Sequence, residues 1–237
     1  MTETLSLRAK IEQSPMGAYQ WMIVVMAAIM NLLDGFDVLA LAFTATAIRG
    51  EFGLTGIELG YLLSAGLFGM TAGSLFLAPL ADKIGRRPLL LMAVSLSAIG
   101  MLGSAFISQY QWLGFWRVIT GLGVGGILVG TNVITSEYSS RKWRSFAISV
   151  YAAGFGIGAV LGGMFAVMLQ GEYGWRSVFL AGAILTGLLL VVLFIWLPES
   201  IDFLTSKQPK NAEVRLNLIA KKIGLAGDWK LPEKAEK

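Results

Sequence analysis

The sequence predicts an all-α membrane protein built from six transmembrane helices, and three observations carry that reading. Six stretches of mostly apolar residues recur along the chain, each about the 20 residues that an α-helix needs to cross a hydrocarbon core. Apolar residues make up 55% of the chain and charged residues only 14%, whereas a soluble domain carries about 25% charged residues. So little charge cannot cover a water-facing surface. Lys and Arg are gathered into alternate connections between the apolar runs, which is the distribution that orients a membrane protein.

The spans are expected at residues 19–41, 57–80, 88–107, 112–135, 145–169 and 177–197. They divide the chain into an N-terminal segment (1–18), a six-helix bundle (19–197) and a tail (198–237). None of the runs alternates as a strand does, and each is about twice the length of a membrane β-strand. The first run is too long for the apolar core of a cleavable signal. Absence of Cys excludes disulfides and thiolate metal sites, and absence of His removes the usual neutral-pH acid/base and the commonest metal ligand. No metal site and no enzyme activity are therefore expected.

One side of the membrane receives Arg8, Lys10, Lys83, Arg86, Arg87, Arg141, Lys142, Arg144 and the basic tail, and the other receives only Arg49 and Arg176. Both termini are thus expected in the cytoplasm, with the bundle integral to the plasma (inner) membrane. The same placement makes the net charge of +4 a topology signal and not a nucleic-acid footprint. Trp21, Trp112, Trp143, Trp175 and Trp196 fall near span ends, where indoles anchor at the lipid–water interface.

The first span contains Asp34-Gly35-Phe36-Asp37. Buried carboxylates are costly in lipid, about 2.5–3.5 kcal/mol each on insertion scales, so they belong inside the bundle and to ion or substrate traffic. At i and i+3 they share one helical face, and Gly35 between them is expected to loosen the helix. The second span carries Gly69-x-x-x-Gly73, a small-residue seam that lets helices approach closely. The connection after it reads Ala78-Pro79-Leu80-Ala81-Asp82-Lys83-Ile84-Gly85-Arg86-Arg87. Asp82 among three cations, with Gly85 marking a turn, can hold two helices together in one state and release them in another.

Arg117 opens the fourth span as Arg117-x-x-x-Gly121-x-x-x-Gly125. With a rise of about 1.5 Å per residue, it lies at the depth of Asp34 and Asp37, since the first and fourth spans run in opposite directions. Two roles fit it: counter-charge to a buried acid, or clamp for the carboxylate of an anionic substrate. Asn31, Thr120, Thr131 and Asn132 are further intramembrane polar groups, which fit a substrate path or helix–helix hydrogen bonds equally well. Gly126-x-x-x-Gly130 and Gly154-x-x-x-Gly158-x-x-x-Gly162 are two more small-residue seams. In the tail, Leu216, Ile219, Ala220 and Ile223 share one helical face, which suits either a helix resting on the inner membrane surface or a solvated linker.

The connection at residues 78–87 resembles the signature loop of the major facilitator superfamily, Gly-x-Leu-Ala-Asp-Arg-x-Gly-Arg-Arg, departing at Ala78 and conservatively at Lys83. Arg117 with its glycines, Glu137 and Arg144 flanking the next cytoplasmic turn, Gly174-Trp175-Arg176 before the sixth span and Leu197-Pro198-Glu199-Ser200 after it resemble the same family. Asp34-Gly35-Phe36-Asp37 resembles the signature of its aromatic acid:proton symporter branch. The resemblance covers nearly all of residues 17–205.

What the resemblance implies is one six-helix half of a two-half fold, with substrate held between the halves. The chain is expected to be an N-terminal half whose glycine-rich second and fifth spans await a C-terminal six-helix partner, or a second copy, and which does not transport alone. The fifth span lacks the Pro of the antiporter pattern Gly-Pro-x-x-Gly-Gly, which favours symport. The implied function is proton-coupled uptake of small aromatic carboxylates, driven by the proton gradient without a cofactor. Asp34 and Asp37 would carry the proton, and Arg117, Asn31 and Asn132 would meet substrate or balance charge. Asp82, Gly85, Arg86, Arg87, Glu137 and Arg144 would form the inner gate. A carrier of another solute on the same fold (a sugar, another organic acid or a drug) and a non-transporting membrane scaffold are the alternatives.

Overall fold

The computed structural model describes residues 6–231; residues 1–5 and 232–237, the outer ends of the expected N-terminal segment and tail, lie outside the described residues. The described residues form helices joined by short connections, followed by a non-helical stretch at 223–231: α1 (Leu7–Gln13), α2 (Ala18–Phe52), α3 (Gly56–Ile84), α4 (Arg86–Ala105), α5 (Tyr110–Tyr138), α6 (Arg144–Tyr173), α7 (Arg176–Trp196), α8 (Ile201–Lys207) and α9 (Ala212–Lys222). The six helices α2 to α7 are long and apolar enough to cross a membrane, and they coincide with the six expected spans.

Helix α2 runs eleven residues past the expected end of the first span. Its 35 residues measure about 50 Å, longer than a hydrocarbon core of about 30 Å. The apolar run continues through residues 38–43, and nothing breaks the helix until Gly53, which takes the left-handed conformation (φ 63°) at its C-terminus. Helix α3 begins on a capping box in which Thr55 and Glu58 satisfy each other's main-chain N–H groups.

Two helix pairs set the architecture, α3 against α5 and α2 against α6, with α4 wedged between α5 and α7. Both pairs rest on glycine. A Cβ at Gly69 or Gly73 would strike the main chain of α5 at Val118 or Leu122, and one at Gly158 would strike α2 at Leu32. The helix backbones therefore touch where side chains would hold them apart, and dispersion contacts accumulate along the seam. This corrects the expectation that the glycine seams of the second and fifth spans are left for a partner. They are consumed inside this bundle, and what α3 and α6 leave exposed is apolar bulk, including Tyr61, Phe68 and Phe76 on α3 and Val160, Met164 and Met168 on α6.

The Lys/Arg-rich connections all gather at one end. Arg8 of α1 pairs with Asp202 of α8, Arg144 pairs with Glu12 at 2.6 Å, and the main-chain N–H of Arg141 donates to the Glu12 carbonyl. At the opposite end, Arg176 reaches Glu51 through two hydrogen bonds of 2.7 and 2.8 Å, while Trp175 donates to the same carboxylate. Neither reading of the tail holds as expected. The apolar face of α9 (Leu216, Ile219, Ala220 and Ile223) is buried in the same core as Leu7, Ile11, Leu197 and Leu204, so the bundle itself covers that face.

Candidate functional site

Asp34 and Asp37 lie inside the bundle, each 1% exposed. Helix α2 passes through them without a break. The expectation that Gly35 loosens the helix is corrected: it is the point where α2 crosses α6, with the main chain of Phe155 where a Cβ would be. The close crossing fixes the rotation of α2 and so the direction of both acids.

Asp37 stands at a junction of four helices. Its Oδ2 accepts a hydrogen bond of 2.6 Å from the Ser97 hydroxyl on α4. Its Oδ1 has no partner and lies beside Gly182 of α7, where a Cβ would approach within 3.3 Å. Asp34 leaves its buried Oδ2 without a partner.

Arg117 is 3% exposed and sits at the depth of Asp37, as the opposite run of the two spans requires. It does not form an ion pair with either acid among the described residues. Its guanidinium donates to the main-chain oxygen of Asp37 (2.9 Å), to Met101 Sδ (2.8 Å) and to Thr120 Oγ1 (2.9 Å), and stacks over the Phe179 ring at 5.1 Å. Nε is unpartnered. The expected acid–Arg pair is thus corrected in its chemistry: the two residues meet, but through a peptide carbonyl. A cavity of about 30 Å³ between α2, α3 and α5 is bordered by Asp37, Arg117, Thr120, Leu62, Leu67 and Val124 among others. That is room for about one water molecule, and Asp34 lies outside it.

The remaining intramembrane polar groups divide. Asn31 donates to the Tyr151 carbonyl across α2 and α6 at 2.8 Å, a helix–helix bond and not a lining group. Thr131 donates back to Ile127 within α5. Asn132 is exposed on α5.

At the Lys/Arg-rich end, Asp82 and Arg86 pair at 2.7 Å one turn apart. Gly85 between α3 and α4 has φ 104° and would place a Cβ on the Glu199 carboxylate. Glu199 Oε1 accepts the main-chain N–H groups of Arg86 (2.8 Å) and Arg87 (3.0 Å) at the part-buried N-terminus of α4, where the helix dipole favours a negative charge. Arg87 donates to the Phe194 carbonyl. Glu137 does not meet Arg144. It accepts from Ser200 Oγ and from the N–H of Ile201, each at 2.8 Å, and so anchors the start of α8, while Arg144 turns to α1. The Arg144 hydrogen bond holds the Glu12 carboxyl below its ordinary value.

Sequence reasoning missed Ser97, Met101 and Phe179 around the buried charges, and Glu12 and Glu199 at the basic end. Glu199 had a signal: an acid just before the Ser200 helix cap, facing a loop of three cations. Ser97 had none, as one of several small polar residues on its helix.

The Major Facilitator Superfamily model matches residues 27–229. The 4-hydroxybenzoate transporter PcaK of Pseudomonas putida is 34% identical over 234 residues, covering 98% of this chain and 52% of that protein. The gallate transporter of the same organism is 36% identical over 204 residues, covering 86% of this chain and 45% of that protein. Among solved structures, the proton:xylose symporter XylE bound to 6-bromo-6-deoxy-D-glucose superposes with a TM-score of 0.77 at 22% identity, over 89% of this chain and 50% of that one. A partially occluded inward-open form of XylE from E. coli gives 0.76, over 88% and 56%. The chain spans about half the length of the curated relatives it matches. Its bundle is one six-helix half of the fold those structures share, and the chain belongs to the major facilitator superfamily.

Proposed function

We propose that this bundle is the proton-handling half of a symporter that takes up small aromatic carboxylates. The observation that carries the reading is the Asp37 carboxylate: fully buried, held through one oxygen by Ser97, and with its other oxygen unpartnered. The residue borders a cavity one water wide. A buried carboxylate so placed is costly when charged, and taking up a proton removes that cost. Proton occupancy and the packing of α2 against α4, α5 and α7 are then linked.

Arg117 supplies the other half of the chemistry. Because a carbonyl and not a carboxylate meets its guanidinium, its charge is not cancelled by an ion pair and can receive a substrate carboxylate bidentately. This favours the clamp over the counter-charge role. The likeness to transporters of 4-hydroxybenzoate and gallate supports a benzoate-type substrate.

A second six-helix half, seated on the exposed apolar sides of α3 and α6, completes the site. The proton gradient drives it, with no further cofactor. The gathering of Lys and Arg at one end supports a plasma-membrane orientation with that end and both termini in the cytoplasm. There, Asp82–Arg86, the Gly85 turn with Arg87 and Glu199, the Glu137 anchor on α8 and Arg144 on α1 form the inner gate.

The test is acid-driven uptake of labelled 4-hydroxybenzoate into proteoliposomes, with the chain joined to the second half of a 4-hydroxybenzoate transporter. Asp37→Asn abolishes uptake driven by an inward proton gradient. Unchanged gradient-driven uptake in that variant rejects the proposal.

A further inference from the structure

The Lys/Arg-rich end carries a second cleft, of about 270 Å³, where the start of α2, the end of α7 and α9 meet. Arg87, Arg215 and Lys222 line it together with Tyr19, Trp196 and Leu218. None of the three cations belongs to an ion pair among the described residues. Two of them rest on neutral groups. Arg87 donates to the Phe194 carbonyl and lies over the Phe194 ring at 5.9 Å, with its buried Nε unpartnered. Lys222 stands 5.3 Å from the Tyr19 ring. The one carboxylate on the cleft, Glu199, is turned to main-chain N–H groups. Three positive charges therefore line the cleft against a single carboxylate, which none of them pairs with.

The surroundings say which anion fits. Trp196, half exposed at 50%, ends α7, and Ile195 before it is 62% exposed, so the cleft sits where a spanning helix leaves the lipid and an indole marks the interface. Leu218 of α9, 56% exposed, lines the same cleft. The cleft is thus cationic on one side and apolar on the other, at headgroup depth. A soluble anion has no use for the apolar rim; a phospholipid has.

We propose that this cleft binds the headgroup phosphate of an anionic phospholipid. Arg215 and Lys222 hold the phosphate, Arg87 adds its charge, and the acyl chains lie along Ile195, Trp196 and Leu218. Basic pockets beside transmembrane helices recognise lipid headgroups in this way, and a guanidinium matches phosphate geometry.

The test titrates the 237-residue chain, purified in neutral detergent, with phosphatidylglycerol, phosphatidylcholine or inorganic phosphate, and counts bound lipid by native mass spectrometry. Phosphatidylglycerol binds saturably and about ten-fold more tightly than phosphatidylcholine. Arg215→Ala with Lys222→Ala weakens it about 25-fold, roughly five-fold per charge. Lys210→Ala with Lys221→Ala, which removes the same charge from the tail outside the cleft, leaves binding unchanged. Arg215 and Lys222 are exposed, so the first pair retains its helix content by circular dichroism; should it not, Arg215→Gln with Lys222→Gln carries the same expectation. Equal weakening by the two Ala pairs, equal binding of the two lipids, or displacement of phosphatidylglycerol by equimolar inorganic phosphate overturns the proposal.

Discussion

Arg117 donates to the main-chain oxygen of Asp37 at 2.9 Å and leaves the Asp37 carboxylate to Ser97. The distinction matters because a buried ion pair fixes both of its members, and breaking one by removing a partner costs about 3–5 kcal/mol. A cation on a peptide carbonyl keeps its charge for another anion, and an acid on a hydroxyl keeps a free oxygen for a proton. The two groups still feel each other's charge without being locked together, so a proton on Asp37 and a carboxylate on Arg117 can influence each other's binding, as coupled transport requires.

Ser97 is then a positioning residue with a measurable role. Ser97→Ala removes the donor to Asp37 Oδ2, and a hydrogen bond to a charged group is worth about 1.5–3 kcal/mol. Gradient-driven uptake is expected to fall about ten-fold or more, while Ser97→Thr, which keeps the hydroxyl, retains most of it. A shift of the pH profile of uptake in Ser97→Ala, absent from Ser97→Thr, separates this role from a structural one. Equal behaviour of the two variants contradicts it.

Two glycines of α6 give opposite expectations. A Cβ at Gly158 meets the Leu32 main chain of α2, whereas one at Gly156 meets nothing within 4 Å. Gly158→Ala must push two helix backbones apart and destabilises by about 1–3 kcal/mol. Gly156→Ala removes backbone freedom from the unfolded chain and stabilises by about 0.4–1 kcal/mol. Thermal or denaturant unfolding in detergent reads both.

These contrasts mark what could be read from residue order. Span number and placement were legible because length and apolar content act locally and the membrane imposes them. The common depth of Arg117 and Asp37 was legible because helical rise converts position into height. The atom on which Arg117 lands was not, because it depends on the rotation of α2, and that rotation is set by the Gly35–Phe155 crossing with a helix more than a hundred residues away. Gly69-x-x-x-Gly73 announced a close approach but not its partner, since a small-residue seam carries no address. Glu137 and Arg144 shared a turn in sequence, yet each is claimed by an element outside it, α8 and α1.

The turn between α3 and α4 depends on one backbone conformation. At φ 104° a side chain is strained, and at Gly85 it would also meet the Glu199 carboxylate. Gly85→Ala is expected to separate Glu199 from the N–H groups of Arg86 and Arg87. Glu199→Gln keeps the shape and removes the charge, so it costs less, about 1–2 kcal/mol from the charge-assisted bonds and helix dipole. Both variants should loosen the α3–α4 turn, seen as faster amide hydrogen exchange at residues 85–87 with the α2–α6 seam unchanged. Exchange unchanged at that turn in both variants would rule out a fastening role for Glu199.

The tie between α1 and α6 should be sensitive to acid. The Glu12 carboxyl is lowered from 4.5, chiefly by its hydrogen bond to Arg144 and further by the charges of Arg144, Arg8 and Arg141. Desolvation opposes the shift without cancelling it. A carboxyl lowered in the folded state binds its proton more weakly there than in the unfolded chain. Its stabilisation is therefore complete above its unfolded value and disappears as pH falls through the lowered one. Both side chains are about one-third exposed (34% and 28%), so solvent screens the pair and its worth is at most about 1 kcal/mol. Glu12→Gln should accordingly be less stable than the natural chain near neutral pH, by no more than that amount. The two should converge as pH falls through the lowered Glu12 value, and added salt should narrow the gap near neutral pH, because screening acts on exposed pairs. Unfolding of both proteins across this range measures it, and a gap that persists undiminished in acid would mean that the Glu12 charge is not its source.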